Sequence, residues 1–65
     1  MIYTTKISDE VSVVTEQDNI AQRWVTHIVG GPSHGWQLTC DIEYGNAREQ
    51  HIKAMELANA SISNA

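Results

Sequence analysis

The stretch GGPSHGWQLTCDIEYGN, residues 30–46, decides how this chain folds. Its second half sorts by polarity at every step. Trp36, Leu38, Cys40, Ile42 and Tyr44 form one row, and Gln37, Thr39, Asp41 and Glu43 form the other. Successive side chains on a strand point to opposite faces, so the pattern predicts a strand over residues 36–44 with one dry and one wet face. The first half holds Gly30, Gly31, Pro32 and Gly35. It reads as a loop in which glycine supplies positive φ and Pro32 adds stiffness.

Upstream of the loop lies RWVTHIV, residues 23–29. Its β-branched and aromatic residues favour a strand that returns antiparallel through the loop. A helix competes for residues 15–29. Thr15 followed by Asp18 resembles a cap, Ile20, Trp24 and Ile28 have helical spacing, and Gly30-Gly31-Pro32 is a helix stop. The run of Val25, Thr26, Ile28 and Val29 favours the strand, because these residues are poor helix formers. Val11 to Thr15 predicts another short strand, followed by a polar turn at Glu16 to Asn19. Ile2 to Ile7 predicts an edge strand.

Downstream, Asn46 is a good N-cap, and Glu49 stands where a capping box puts its acid. The segment from Ala47 to about Ile62 lacks Gly and Pro and has high helix propensity. At 100° per residue, Ala47, His51, Ala54, Met55, Ala58 and Ile62 share one face. Glu49, Lys53, Glu56 and Ser63 share the other, with Glu49 and Lys53 spaced for an ion pair. A helix of this length spans roughly 24 Å, enough to lie across the predicted strand. The expected fold is therefore α+β: an antiparallel three- or four-stranded sheet, a β-meander, with one C-terminal helix packed on one face. Residues 1–65 form a single domain in this reading.

Length and charge narrow the function. A chain of 65 residues buries only about 60% of the surface its unfolded form exposes. Domains this small gain stability from disulfides, metals or partner chains. Cys40 is the single cysteine, which excludes an intrachain disulfide and suits a reducing compartment. One helix covers two or three strands, so a wider sheet keeps apolar groups uncovered, and a homodimer is expected. The formal net charge of −4, with Lys6, Arg23, Arg48 and Lys53 scattered, makes duplex DNA an unlikely partner. No apolar run approaches the ~20 residues of a membrane span, and the first residues do not read as a signal peptide. No membrane partner and a cytoplasmic location are expected.

Four constellations invite chemistry. His27, His34, Cys40 and His51 could be weighed as zinc ligands, but their spacings contain no ligand pair, so neither a metal nor another cofactor is expected. Cys40 with His51 is the one thiol–base pairing the pattern permits, and it stands as an alternative activity. Against it, Asp41 beside Cys40 raises the thiol pKa. Ser33, His34 and Asp41 lack the pocket a serine triad needs. Trp24 with Arg23 and His27 on the sheet supports a second alternative, a nucleic-acid accessory protein with an aromatic platform. Trp24 and Trp36 can also be read as a cross-strand core pair.

The favoured reading is a non-enzymatic protein-binding module. Its size and acidity suit an inhibitor or adaptor of phage or mobile-element type that occludes a partner protein's surface. His34 at the loop tip, Trp36 at its base, and Asp41 and Glu43 on the wet side of the strand are the expected contact groups. With Asp9, Glu10, Glu16 and Asp18, the last two would make one acidic surface.

Overall fold

Three successive hairpins build the sheet, and a computed structural model describes them over residues 2–63. Strands β1 (Ile2–Lys6), β2 (Ser12–Asp18), β3 (Arg23–Val29) and β4 (Gln37–Asp41) lie in the order β1-β2-β3-β4, each antiparallel to its neighbour. Helix α1 (Ala47–Ser63) follows and packs on β2, β3 and β4. The α+β meander with a C-terminal helix is thus the fold. Within residues 15–29 the chain is strand to Asp18, turn over 19–22 and strand again from Arg23, with no helix.

The register decides which side chains meet the helix. Tyr3, Thr15, Thr26 and Leu38 form one row across the sheet, and Thr5, Val13 and Ile28 form the next. Trp24 and Cys40 face each other one row further. All of these lie on the helix side by strand alternation. The buried apolar residues are Val11, Val13, Ile28, Ala54 and Ala58, with Ile7, Trp36, Met55 and Ile62 packed around them. Four polar residues are buried beside them: Thr15, Thr26, Gln50 and His51. Both threonines rank among the largest fully buried side chains. The core is therefore almost half polar, and small Ala54 and Ala58 let the helix come close enough to the sheet for side-chain hydrogen bonds.

Several boundaries differ from the sequence reading, each for a local reason. Strand β4 ends at Asp41, not at Tyr44. The Asp41 carboxylate accepts N–H bonds from Glu43 (2.8 Å) and Tyr44 (2.9 Å), while Gly45 N–H donates to the Asp41 carbonyl. This Asx-type turn competes with the sheet ladder. It leaves Tyr44 86% exposed, so the dry row stops at Cys40. Strand β2 runs on through Glu16 and Gln17 to Asp18, where a polar turn had been expected. The turn comes later, where Asp18 accepts from Ile20 and Ala21 N–H and Gln22 adopts φ 57°. Trp24 opposes Cys40 and Trp36 lies beside Ile28, so the two tryptophans are not a cross-strand pair.

The helix begins as expected: Glu49 N–H donates to Asn46 Oδ1 at 3.0 Å. Ala54 and Ala58 are buried on its sheet side, and Glu49, Lys53, Glu56 and Ser63 are exposed. Glu49 and Lys53 form no ion pair. The ion pair present among the described residues is Lys6 with Asp9, at 4.0 Å and fully in solvent, where such a contact contributes little.

The loop joining β3 to β4 is held from below. Gly30 has φ +84°, and a Cβ there would fall 1.8 Å from the Glu10 carbonyl oxygen. Gly35 also has positive φ, +92°, but open space around it. Both alanine variants incur left-handed strain of about 1–2 kcal/mol, and Gly30→Ala adds a backbone collision of about 1–3 kcal/mol. In urea unfolding, Gly30→Ala should therefore be the more destabilised of the two by about that second amount. Equal losses would show that the Glu10 carbonyl does not constrain this loop.

Candidate functional site

The site grows from the polar part of the core. Thr15 Oγ1 and Thr26 Oγ1, opposite each other on β2 and β3, are 2.7 Å apart. Consecutive helix residues Gln50 and His51 reach down to this pair. Gln50 Nε2 donates to Thr26 Oγ1 at 2.8 Å, and His51 Nδ1 meets Thr15 Oγ1 at 2.7 Å. The other imidazole nitrogen, Nε2, meets Thr5 Oγ1 on β1 at 2.9 Å. Five side chains on four elements thus form one continuous chain of hydrogen bonds.

The direction of that chain follows from its chemistry. The Gln50 amide nitrogen also faces the Trp24 carbonyl at 3.5 Å, and a carbonyl can only accept, so the nitrogen is correctly placed as donor. Thr26 Oγ1 then accepts from Gln50, and its own hydrogen has one remaining partner, Thr15. The Thr15 hydrogen in turn goes to His51 Nδ1. Nδ1 is therefore the unprotonated nitrogen, and Nε2–H donates to Thr5. The oxygen of Thr5 is used as acceptor, which leaves its hydroxyl hydrogen available to another partner. No buried side-chain polar atom among the described residues lacks a partner, and this ordering satisfies each one.

Protonation of His51 breaks the order. Nδ1–H would have to donate to Thr15, and one of the two threonine hydrogens, that of Thr15 or that of Thr26, would then have no acceptor. Burial acts in the same sense and holds the His51 pKa below the ordinary imidazole range.

The chain ends at a cleft. Helix α1 packs on β2, β3 and β4 and meets β1 at the Thr5–His51 contact, and beside that contact opens a cleft of about 590 Å³. Ile2, Tyr3, Thr4 and Thr5 line one wall, and Arg48, His51 and Ile52 line the other. Ile2 is 65% exposed, Tyr3 43% and Ile52 45%. The Tyr3 ring lies 6.1 Å from Trp24 and 6.4 Å, edge-on, from His51, so the aromatic wall is braced from behind. The lining holds one cation, Arg48, and no carboxylate.

The residues singled out in the sequence lie elsewhere. His34 and Trp36 sit at one end of β4, while Asp41 and Glu43 sit at the other. Trp36 packs against the core, and Asp41 lies on the opposite face of the sheet. His34 Nδ1 accepts the Gly30 N–H at 2.7 Å, inside its own loop. Bonds from the Tyr44 and Glu43 N–H groups lower the Asp41 pKa. The four do not form one surface. Arg23 stands between Asp18 and Asp41 on the open face and separates those two acids.

The alternatives fare similarly. Cys40 lies toward the β4 edge, whereas His51 is bonded to β1 and β2, so the thiol–imidazole pair does not form. Burial first, and Asp41 second, raise the Cys40 pKa. No group of three or more metal-ligating side chains occurs among the described residues. Trp24 faces the helix, while Arg23 and His27 lie on the open face, so they share no platform. Gln50 and Thr5 were not anticipated. The available signal was a polar Gln50-His51 pair on the same helix face as Ala54 and Ala58.

Comparison with protein-family models, with curated proteins and with solved structures gives no match.

Two outcomes test the hydrogen-bond chain. Thr15→Val removes both the acceptor for Thr26 and the donor to His51 at constant volume. It should cost about 2–4 kcal/mol in urea unfolding, since each orphaned group costs roughly 1–3 kcal/mol. Thr39→Val on the open face should change stability by less than about 0.5 kcal/mol. Similar losses at the two sites would dissolve the chain as a stabilising unit. The second outcome concerns pH. With the folded His51 pKa depressed, the unfolded chain binds more protons below its ordinary pKa of about 6.5, so stability rises with pH. The urea midpoint should hold above about pH 7 and fall as pH drops through the unfolded value. His51→Gln should flatten that slope; an unchanged slope would assign it to other groups.

Proposed function

We propose that this protein is a non-enzymatic protein-binding module that takes an extended segment of a partner protein along the free edge of β1. The observation that carries the reading is the edge itself: Ile2, Tyr3 and Ile52 stay exposed around the cleft beside β1. An edge strand presents unpaired backbone N–H and C=O groups, and strand addition uses them for affinity while adjoining pockets read alternate side chains. Proteins commonly protect such edges with charge or proline. Here the sequence of β1 is IYTTK, with Lys6 at its far end as the single charge.

A binding role also suits the state of the histidine. Both His51 nitrogens are engaged by threonines, so the imidazole serves as a structural strut and not as a free base. No helix among the described residues is long and apolar enough to cross a membrane. A free thiol suits the cytoplasm, where we place this activity.

A second copy of the chain competes for the same edge, because β1 can pair antiparallel with itself. Its β1 carries no acid to answer Arg48, and this favours a different partner. Selection of extended peptides from a displayed library, followed by ¹H–¹⁵N shift mapping, tests the proposal. Shifts should cluster on β1, Arg48, His51 and Ile52, and Ile2→Lys should weaken binding about tenfold or more, about 1.4 kcal/mol. Shifts confined to the open face or to the 30–36 loop would overturn it. Concentration-dependent dimerisation that Ile2→Lys abolishes would name the second copy as occupant instead.

A further inference from the structure

We infer that the cleft beside β1 reads a carboxylate on the bound segment, an Asp or Glu side chain, through the Arg48 guanidinium and the Thr5 hydroxyl. The inference rests on the strand-addition reading and deepens it by assigning the chemistry of the occupant.

Three observations carry it. The first is charge placement. The chain holds eight acids and four bases, yet the cleft lining contains Arg48 and none of the acids. Glu49, the next residue, lines a separate depression beside Cys40 at the other edge of the sheet. Arg48 has no ion-pair partner among the described residues, so its planar fork is free for a carboxylate.

The second is the direction of the buried chain. The order imposed by Gln50 makes His51 Nε2–H donate to Thr5. The Thr5 oxygen is occupied as acceptor and its hydrogen is left to donate. Thr5 lines the cleft, so its hydroxyl hydrogen is available there as a donor. A carboxylate oxygen only accepts. An ammonium group in the same place would bring hydrogens toward both donors, and an amide offers one accepting atom and no charge to answer Arg48.

The third is the apolar frame. Tyr3 and Ile52 flank these donors with exposed apolar surface on the helix side, and Ile2 adds more at the alternate position of β1. A segment that alternates an acid with β-branched or aromatic residues would put the acid toward Arg48 and Thr5. Its backbone would continue the sheet.

The probe is a defined pair of pentapeptides, acetylated and amidated: Thr-Val-Asp-Val-Thr and its counterpart with Asn in place of Asp. Both are titrated by ¹H–¹⁵N shift mapping into the full chain and into Arg48→Gln. Arg48 is exposed, so this variant keeps the fold. The Asp peptide should bind the unaltered chain about tenfold more tightly than the Asn peptide, with shifts at Thr5, Arg48 and His51. In Arg48→Gln that preference should vanish, while Arg48→Lys should keep part of it. Raised salt should weaken the Asp peptide more than the Asn peptide. Equal binding of the two peptides at β1 would overturn the carboxylate inference and leave strand addition standing. A preference that persists in Arg48→Gln would also overturn it. Failure of both peptides to shift any β1 resonance would refute the strand-addition reading together with the inference.

Discussion

The Thr15–His51 hydrogen bond, 2.7 Å long and buried, is the contact on which this structure depends. It ties the helix to the middle of the sheet, and its two ends lead to everything else. Through Thr15 it connects to Thr26 and Gln50, which seat the first turns of α1 over β3. Through His51 it connects to Thr5, which tethers the edge strand to the helix. Apolar burial alone would not choose this docking. Ala54 and Ala58 are small and tolerate sliding, whereas a directional chain of five groups has one good register. A half-satisfied polar core is worse than an oily one, so every member of the chain constrains its neighbours.

That constraint explains why the helix stops short of β1. Gln50 ties the start of the helix to Thr26 on β3 and His51 ties it to Thr15 on β2, and the contacts of α1 fall on β2, β3 and β4. The edge strand is left with a threonine–histidine tether and an open flank. The same docking that stabilises the sheet's centre thus exposes Ile2, Tyr3 and Ile52. Function, in this account, follows from where a polar core can and cannot place its lid.

Much of the architecture was legible in the residues. The alternation from Trp36 to Cys40 is an unambiguous strand signal, and Asn46 with Glu49 marks the helix start. Both describe local geometry that neighbouring residues enforce. The alternation misled beyond Asp41, because a carboxylate that can cap two N–H groups ends a strand even when the polarity pattern continues. The site was the less legible part. Thr15 and Thr26 look like ordinary β-branched strand formers, and their facing hydroxyls emerge only once the β2–β3 register is known. His51 looked like a companion for Cys40 because helix periodicity says which face it occupies, not which strand lies under that face. Gln50 passed unread between Glu49 and His51. His34 and Trp36 were read as contact groups from the loop and Asp41 and Glu43 from the wet row, and the strand sets the two pairs at its opposite ends.

The direction of the hydrogen-bond chain is the central claim, and the protonation of one nitrogen decides it. Long-range ¹H–¹⁵N correlation of the His51 ring at pH 7.5 reports which nitrogen carries the hydrogen. The account predicts a neutral imidazole protonated at Nε2, with Nδ1 as acceptor from Thr15. A ring protonated at Nδ1, or at both nitrogens, would reverse the chain, withdraw the available hydroxyl hydrogen of Thr5 and contradict the account.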